Sequence, residues 1–163
     1  MNLCRDAEAS GSLVTDFTQC VWELETLETT QRLGRHLAQR VPGGSILLLK
    51  GPLGAGKTSM VQGLAQGCGI TEPITSPTFA LAQHYPDGNP PLVHLDLYRL
   101  EAPESADELF LQEEEEARAM GALMAVEWPE RLSLNLEEAW RLELSHLQTG
   151  RRAQLTPPKN AST

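Results

Sequence analysis

One stretch limits the possible folds of this chain more than any other. Gly51-Pro52-Leu53-Gly54-Ala55-Gly56-Lys57-Thr58 fits the pattern G-x-x-x-x-G-K-[ST]. Glycines at that spacing let the backbone turn tightly and bring successive N–H groups against phosphate oxygens. A lysine in that place puts a point positive charge on the β- and γ-phosphates of a nucleotide, and the Thr58 hydroxyl can ligate Mg²⁺. The pattern needs a strand before it and a helix after it. Ser45 to Lys50 is a short apolar run bounded by Gly43-Gly44 and Gly51, so it reads as a buried strand. From Thr58 to Gly67 the apolar residues Met60, Val61, Leu64 and Ala65 recur at helical spacing, and the dipole of that helix would point its positive end at the same oxygens.

The rest of the chain is consistent with one α/β domain built around that unit. With 163 residues it is long enough to bury a core without staples. Residues 1–16 are polar and small and are expected to be disordered, residues 17–156 form the domain, and residues 157–163 form a flexible tail. Within the domain, 18–24 reads as a strand. Residues 28–38 read as an amphipathic helix with a possible Thr cap, ended by Pro42-Gly43-Gly44. Residues 79–85 form a weak strand and 86–91 a turn. Pro91 to Asp96 and Leu123 to Glu127 are apolar runs that each finish in an acid. Open α/β sheets place their ligands at such strand ends, so one acid would hold Mg²⁺ or its water shell and the other could orient the attacking water. Between them a helix starts at Ala102-Pro103-Glu104 and runs into Glu113 to Glu116, which reads as a solvated face rather than a metal site. Residues 140–147 alternate, Thr149-Gly150 is a hairpin turn, and Arg151 to Leu155 returns as a strand. The expected fold is a P-loop NTPase with a mainly parallel central sheet flanked by helices and a C-terminal antiparallel hairpin.

Other features narrow the function by exclusion. Thirteen basic against 22 acidic residues give a net charge of −9, a poor starting point for binding nucleic acid alone. The basic doublet Arg151-Arg152 reads as a solvated strand edge. Cys4, Cys20 and Cys68 form no Cys-x-x-Cys pair, so reduced thiols are expected. No apolar run approaches a membrane span and the N-terminus lacks a signal-peptide core, which points to the cytoplasm. His84 and His94 have no partner histidine at metal spacing and are expected in core or surface roles. Thr75-Ser76-Pro77-Thr78-Phe79 is either a Ser-Pro turn or a segment sensing the γ-phosphate through a Thr hydroxyl, and spacing alone favours the turn. Trp128 is either core or close to the nucleotide, and pattern does not choose.

Four stretches stand together in one order: 51–58, Ser76-Pro77-Thr78-Phe79, His94-Leu95-Asp96-Leu97-Tyr98-Arg99-Leu100 and Val126-Glu127-Trp128-Pro129-Glu130-Arg131. This set, with Leu33-Gly34 before it, resembles the TsaE (YjeE) family over roughly residues 18–156. The resemblance implies a cytoplasmic Mg²⁺-dependent ATPase of tRNA threonylcarbamoyladenosine biosynthesis, slow alone and gated by partner proteins. It would act with TsaD and TsaB, which transfer threonylcarbamoyl to the adenosine next to the anticodon. Its ATP cycle would reset the TsaD–TsaB core, and tRNA would be met only through that complex. By matching position, Leu53, Gly54, Ala55, Gly56, Lys57 and Thr58 would bind ATP. Thr58 and Glu127 would contact the metal, with Glu127 also needed for hydrolysis. Asp96 would be the other essential acid, Thr78 would sit in a switch-like loop, and Trp128 would lie near the nucleotide. The sequence departs from the family at Pro52, where Asp is usual, and at Ser59, where Thr is usual; Pro52 removes one backbone N–H from the start of the loop. After Glu108, Phe110 and the glutamate run stand where the family has a more regular, glycine-containing stretch. No clear arginine finger is visible, Arg99 and Arg131 being the candidates. Two further readings remain: a small-molecule kinase on the same fold, disfavoured by a short acidic segment between the acids, and a non-enzymatic nucleotide-binding protein, disfavoured by the presence of both acids.

Overall fold

The computed structural model describes residues 20–75 and 81–159. Seven strands form one sheet: β1 (Cys20–Leu24), β2 (Ile46–Lys50), β3 (Ala82–Tyr85), β4 (Leu92–Asp96), β5 (Leu123–Glu127), β6 (Trp140–His146) and β7 (Arg151–Thr156). The spatial order is β1-β7-β6-β2-β5-β4-β3. The four central strands β6, β2, β5 and β4 are parallel. β7 turns back against β6, β1 pairs antiparallel with β7, and β3 pairs antiparallel with β4. This is the expected parallel sheet with its C-terminal hairpin; what local pattern did not reveal is that β1 is carried to the far edge by pairing with the last strand.

Three helices cover the two faces. Helix α1 (Leu27–Arg40) is held at its start by a reciprocal cap, in which the Thr29 N–H donates to Thr26 Oγ1 at 3.2 Å and the Thr26 N–H donates to Thr29 Oγ1 at 2.9 Å. Its apolar stripe, Leu33 and Leu37, packs with Met60, Val61 and Leu64 of helix α2 (Lys57–Gly67) over Leu47, Leu49, Leu142 and Leu144 of the sheet. Helix α3 (Pro103–Met120) lies on the opposite face, where Phe110 and Ala117 meet Leu48, Val93, Leu95, Met124 and Val126. All α3-side strand residues in that set alternate with the α1/α2-side set, as the two-residue period of a strand requires.

Helices α1 and α2 cross backbone to backbone. A Cβ built on Gly34 would stand 2.5 Å from the Met60 carbonyl oxygen and 2.8 Å from Gly63 Cα. Gly34→Ala is therefore expected to destabilise the fold by about 1–3 kcal/mol through overpacking. The helix propensity of alanine alone would move stability the other way. Thermal or urea denaturation reads the sign directly.

Two expectations need correcting. The glutamate run is not uniformly solvated: Glu113 is buried, because the inward stripe of α3 runs Ala106, Phe110, Glu113, Ala117 at helical spacing and passes through it. The cysteines are not all reduced thiols either. Cys68 is free and buried, whereas Cys20 is disulfide-bonded. The expected disordered N-terminus (1–16) lies outside the described residues, as do 160–163 of the tail. No helix among the described residues is long and apolar enough to cross a membrane.

Candidate functional site

The strand–loop–helix unit forms as its sequence requires. β2 ends at Lys50, the loop follows, and α2 begins at Lys57 with Gly56 as its N-cap at φ 100°. That left-handed conformation is open to glycine and strained for other residues. Gly54 is also left-handed, at φ 76°, with nothing near the place of a Cβ. Gly51 is glycine for a different reason: a Cβ there would lie 2.6 Å from the Leu144 carbonyl oxygen of β6. The N-terminus of α2 has no side-chain cap, so its first N–H groups are presented toward the cleft.

Opposite the loop, parallel register sets Asp96 at the end of β4 directly beside Glu127 at the end of β5. Register neighbours on adjacent parallel strands share a face, and here it is the α2 face. The resulting cleft, about 320 Å³, is lined by Leu53, Gly54, Gly56, Lys57, Thr58, Ser59, Asp96, Glu127 and Arg151. The structure thus brings together seven of the residues expected from sequence: Leu53, Gly54, Gly56, Lys57, Thr58, Asp96 and Glu127. Ala55 is wholly buried beneath the loop, and its N–H donates to the Pro52 carbonyl at 3.2 Å. Thr78 lies outside the described residues.

Lys57 is the charged centre of the cleft. Its Nζ donates to the Gly51 carbonyl and, at 3.3 Å, to that of Pro52, and it sits 4.0 Å from the centroid of the Trp128 ring. Burial pulls the ammonium below the usual lysine range, opposed by the negative charges of Glu127, Glu130 and Asp96. Trp128, which pattern left between core and ligand, covers this ammonium from the first turn after β5. It adopts φ 59°, a strained conformation for a bulky residue, and its ring packs against Tyr98 at a centroid distance of 4.9 Å. Tyr98 in turn follows Asp96 and donates its N–H to Asp96 Oδ1 at 3.0 Å, which orients that carboxylate.

Glu127 is held differently. It is buried, and its Oε2 accepts from Nε2 of the fully buried His94, 2.6 Å away. His94 stands two residues before Asp96 on β4, on the same face. An ionised carboxylate only accepts, so Nε2 is the donor, and Nδ1 has no partner among the described residues. No local pattern signals this pairing, because it depends on which strand lies next to β4.

The residue most clearly missed is Arg151. Read as a solvated strand edge, it instead reaches the loop from β7. Its Nη2 donates to the Gly54 carbonyl at 3.3 Å, and its side chain packs over Gly56. Arg99 is exposed, and Arg131 lies with its guanidinium carbon 5.8 Å from the Tyr98 ring centroid; neither lines the cleft. An open sheet with a glycine loop after a central strand, an uncapped helix, a buried lysine and two acids on the next strand tips defines the P-loop nucleotide-binding class. The donor set suits a magnesium nucleotide: glycines and N–H groups for phosphate, one cation for its charge, and hydroxyl and carboxylate oxygens for a hard metal.

The family model described as "Threonylcarbamoyl adenosine biosynthesis protein TsaE" matches residues 24–154. The chain is 50% identical over 111 residues to the tRNA threonylcarbamoyladenosine biosynthesis protein TsaE of Synechocystis, covering 67% of this chain and 69% of that one. It is 44% identical over 132 residues to the protein of the same name from Nostoc, covering 80% and 81%. Among solved structures, Bacillus subtilis YdiB superposes with a TM-score of 0.69 at 30% identity, covering 88% of both chains. The chain belongs to the TsaE family.

Proposed function

We propose that this chain binds and hydrolyses ATP in tRNA threonylcarbamoyladenosine biosynthesis. It acts on a TsaD–TsaB core to sustain turnover, is not itself the transferase, and works in the cytoplasm. The observation that carries the ATPase reading is the register that puts Asp96 beside Glu127 in the same cleft as Lys57 and Thr58. The pathway is supported by the names of its relatives.

In this reading the loop from Leu53 to Thr58 would hold the phosphates, and Lys57, held here by the Gly51 and Pro52 carbonyls, would meet their charge. Thr58 and Glu127 would supply oxygens to the metal. When bound, magnesium ATP supplies the phosphoryl group to be transferred and a cation that offsets its charge. Asp96, fixed by the Tyr98 N–H, and Glu127, fixed by His94, are the carboxylates that orient the attacking water; His94 acts only through Glu127. Trp128 lies against the lysine, where it would flank the nucleotide, and Thr78 is assigned to the sensing loop by its place in the family motif. Among the described residues, Arg151 is the one arginine that lines the cleft.

The alternative, a small-molecule kinase, calls for an arginine-rich lid over the acceptor. The described segment between the two acids is mostly α3, which packs on the face opposite α2 and away from the cleft. The test of the preferred reading is a mixing run. With ATP and Mg²⁺ present, the chain is expected to co-elute with TsaD and TsaB in gel filtration, and phosphate release is expected to rise above that of the chain alone. No association in the three-component run would transfer the argument to the kinase.

A further inference from the structure

Four glutamates in a row on α3 do not share one environment. Glu114 pairs with Arg118 at 2.8 Å. Glu113 turns inward, its side chain only 10% exposed, and its Oε2 lies 2.5 Å from Nε2 of His84 on edge strand β3. Glu116, three residues on, places its Oε2 3.6 Å from Nδ1 of the same ring. The i, i+3 spacing sets both carboxylates on the helix face that meets β3. One ligand atom from each of His84, Glu113 and Glu116 lies within 4.8 Å of the other two. None of the three lines the nucleotide cleft.

We propose that His84, Glu113 and Glu116 form a second metal site, for a divalent cation of the zinc class, tying β3 to α3. Two carboxylates and one neutral imidazole offer a charge of −2 to a +2 ion. A neutral imidazole carries one N–H and can donate to only one of the two acids, whereas a divalent cation can meet both. The nitrogen donor separates this site from the all-oxygen preference of Mg²⁺ and Ca²⁺. Zinc binds histidine nitrogen and carboxylate oxygen at about 2.0–2.2 Å, which in a tetrahedron puts the ligand atoms about 3.3 Å apart. Closing from the present spacing needs only side-chain rotation at His84 and Glu116, whose side chains are 32% and 51% exposed. The same exposure leaves a fourth position for water. β3 has four residues and pairs on one side only, with β4, so a cation bridging it to α3 would fix an otherwise lightly held edge.

The test is isothermal titration of zinc chloride into the full chain, with excess Mg²⁺ present to occupy oxygen sites. One equivalent is expected to bind. His84→Ala, Glu113→Gln and Glu116→Gln are each expected to weaken binding by about tenfold or more, given that even an indirect support of a metal ligand is worth 10–100-fold. Zinc is expected to raise the Tm of the wild type and to leave that of Glu116→Gln unchanged; that side chain is half exposed, so its exchange keeps the fold. No heat of binding, or affinity unchanged in all three variants, overturns the site. So does a zinc signal removed by Asp96→Asn instead, which would place the metal in the nucleotide cleft.

Discussion

Glu127→Gln is expected to keep nucleotide affinity within a few-fold of wild type and to cut phosphate release by about 10²–10⁴-fold, the range for losing a positioned acid–base group. The substitution preserves shape, and an amide oxygen still accepts from His94 Nε2, so the buried strand tip stays intact. What is lost is the negative charge. A fall in kcat with KM held is the signature of an interaction made in the transition state only. His94 supplies an internal control. His94→Leu leaves the Glu127 carboxylate buried without its donor, a desolvation cost of about 1–3 kcal/mol, and should lower kcat in the same direction. His94→Gln, which restores a donor, should recover part of it; a purely structural histidine would show no such recovery. Undiminished turnover in Glu127→Gln, read by steady-state phosphate release, would defeat the assignment of that carboxylate.

Lys57→Ala should fail one step earlier, at binding. The ammonium is the one lysine charge in the cleft, held among the carbonyls of Gly51 and Pro52 and the Trp128 ring. Charge-assisted hydrogen bonds are worth about 1.5–3 kcal/mol each, and two phosphate contacts are at stake. At 1.4 kcal/mol per decade, ATP affinity is expected to drop by at least about 10²-fold. Calorimetric titration measures this, with a melting curve to show that the fold survives. The two variants should therefore separate cleanly: Lys57→Ala loses the ligand, and Glu127→Gln holds it without consuming it. Wild-type affinity in Lys57→Ala would mean that the nucleotide sits elsewhere.

The parts of the site legible in the sequence are those written in consecutive residues. Gly51 to Thr58 is one uninterrupted string, and its strand and helix lie directly before and after it. Asp96 and Glu127 were legible because an acid closing an apolar run marks a strand tip whatever its neighbours. A mainly parallel central sheet followed from the same reading; that β6 joins it in parallel beside β2 did not. What escaped depends on which strands become neighbours. Pattern places His94 in a core or surface role, and its bond to Glu127 exists only because β4 lies beside β5. Arg151 reads by pattern as a solvated edge, and it meets the glycine loop only because β6 lies beside β2 and turns back as β7. Glu113 looked like one of four equivalent charges until the pitch of α3 set it in line with Phe110. The left-handed backbone of Trp128 has no sequence marker, since glycine or asparagine would be the ordinary choice there.

The hairpin that ends the fold has one more consequence. Strand β7 is gripped on one flank by β6 and on the other by β1, and its first residue rests on the Gly54 carbonyl. The nucleotide loop is thus buttressed from the rim of the sheet by two strands drawn from opposite ends of the chain. Damage at that rim would slacken the grip on phosphate without touching any residue that grips it.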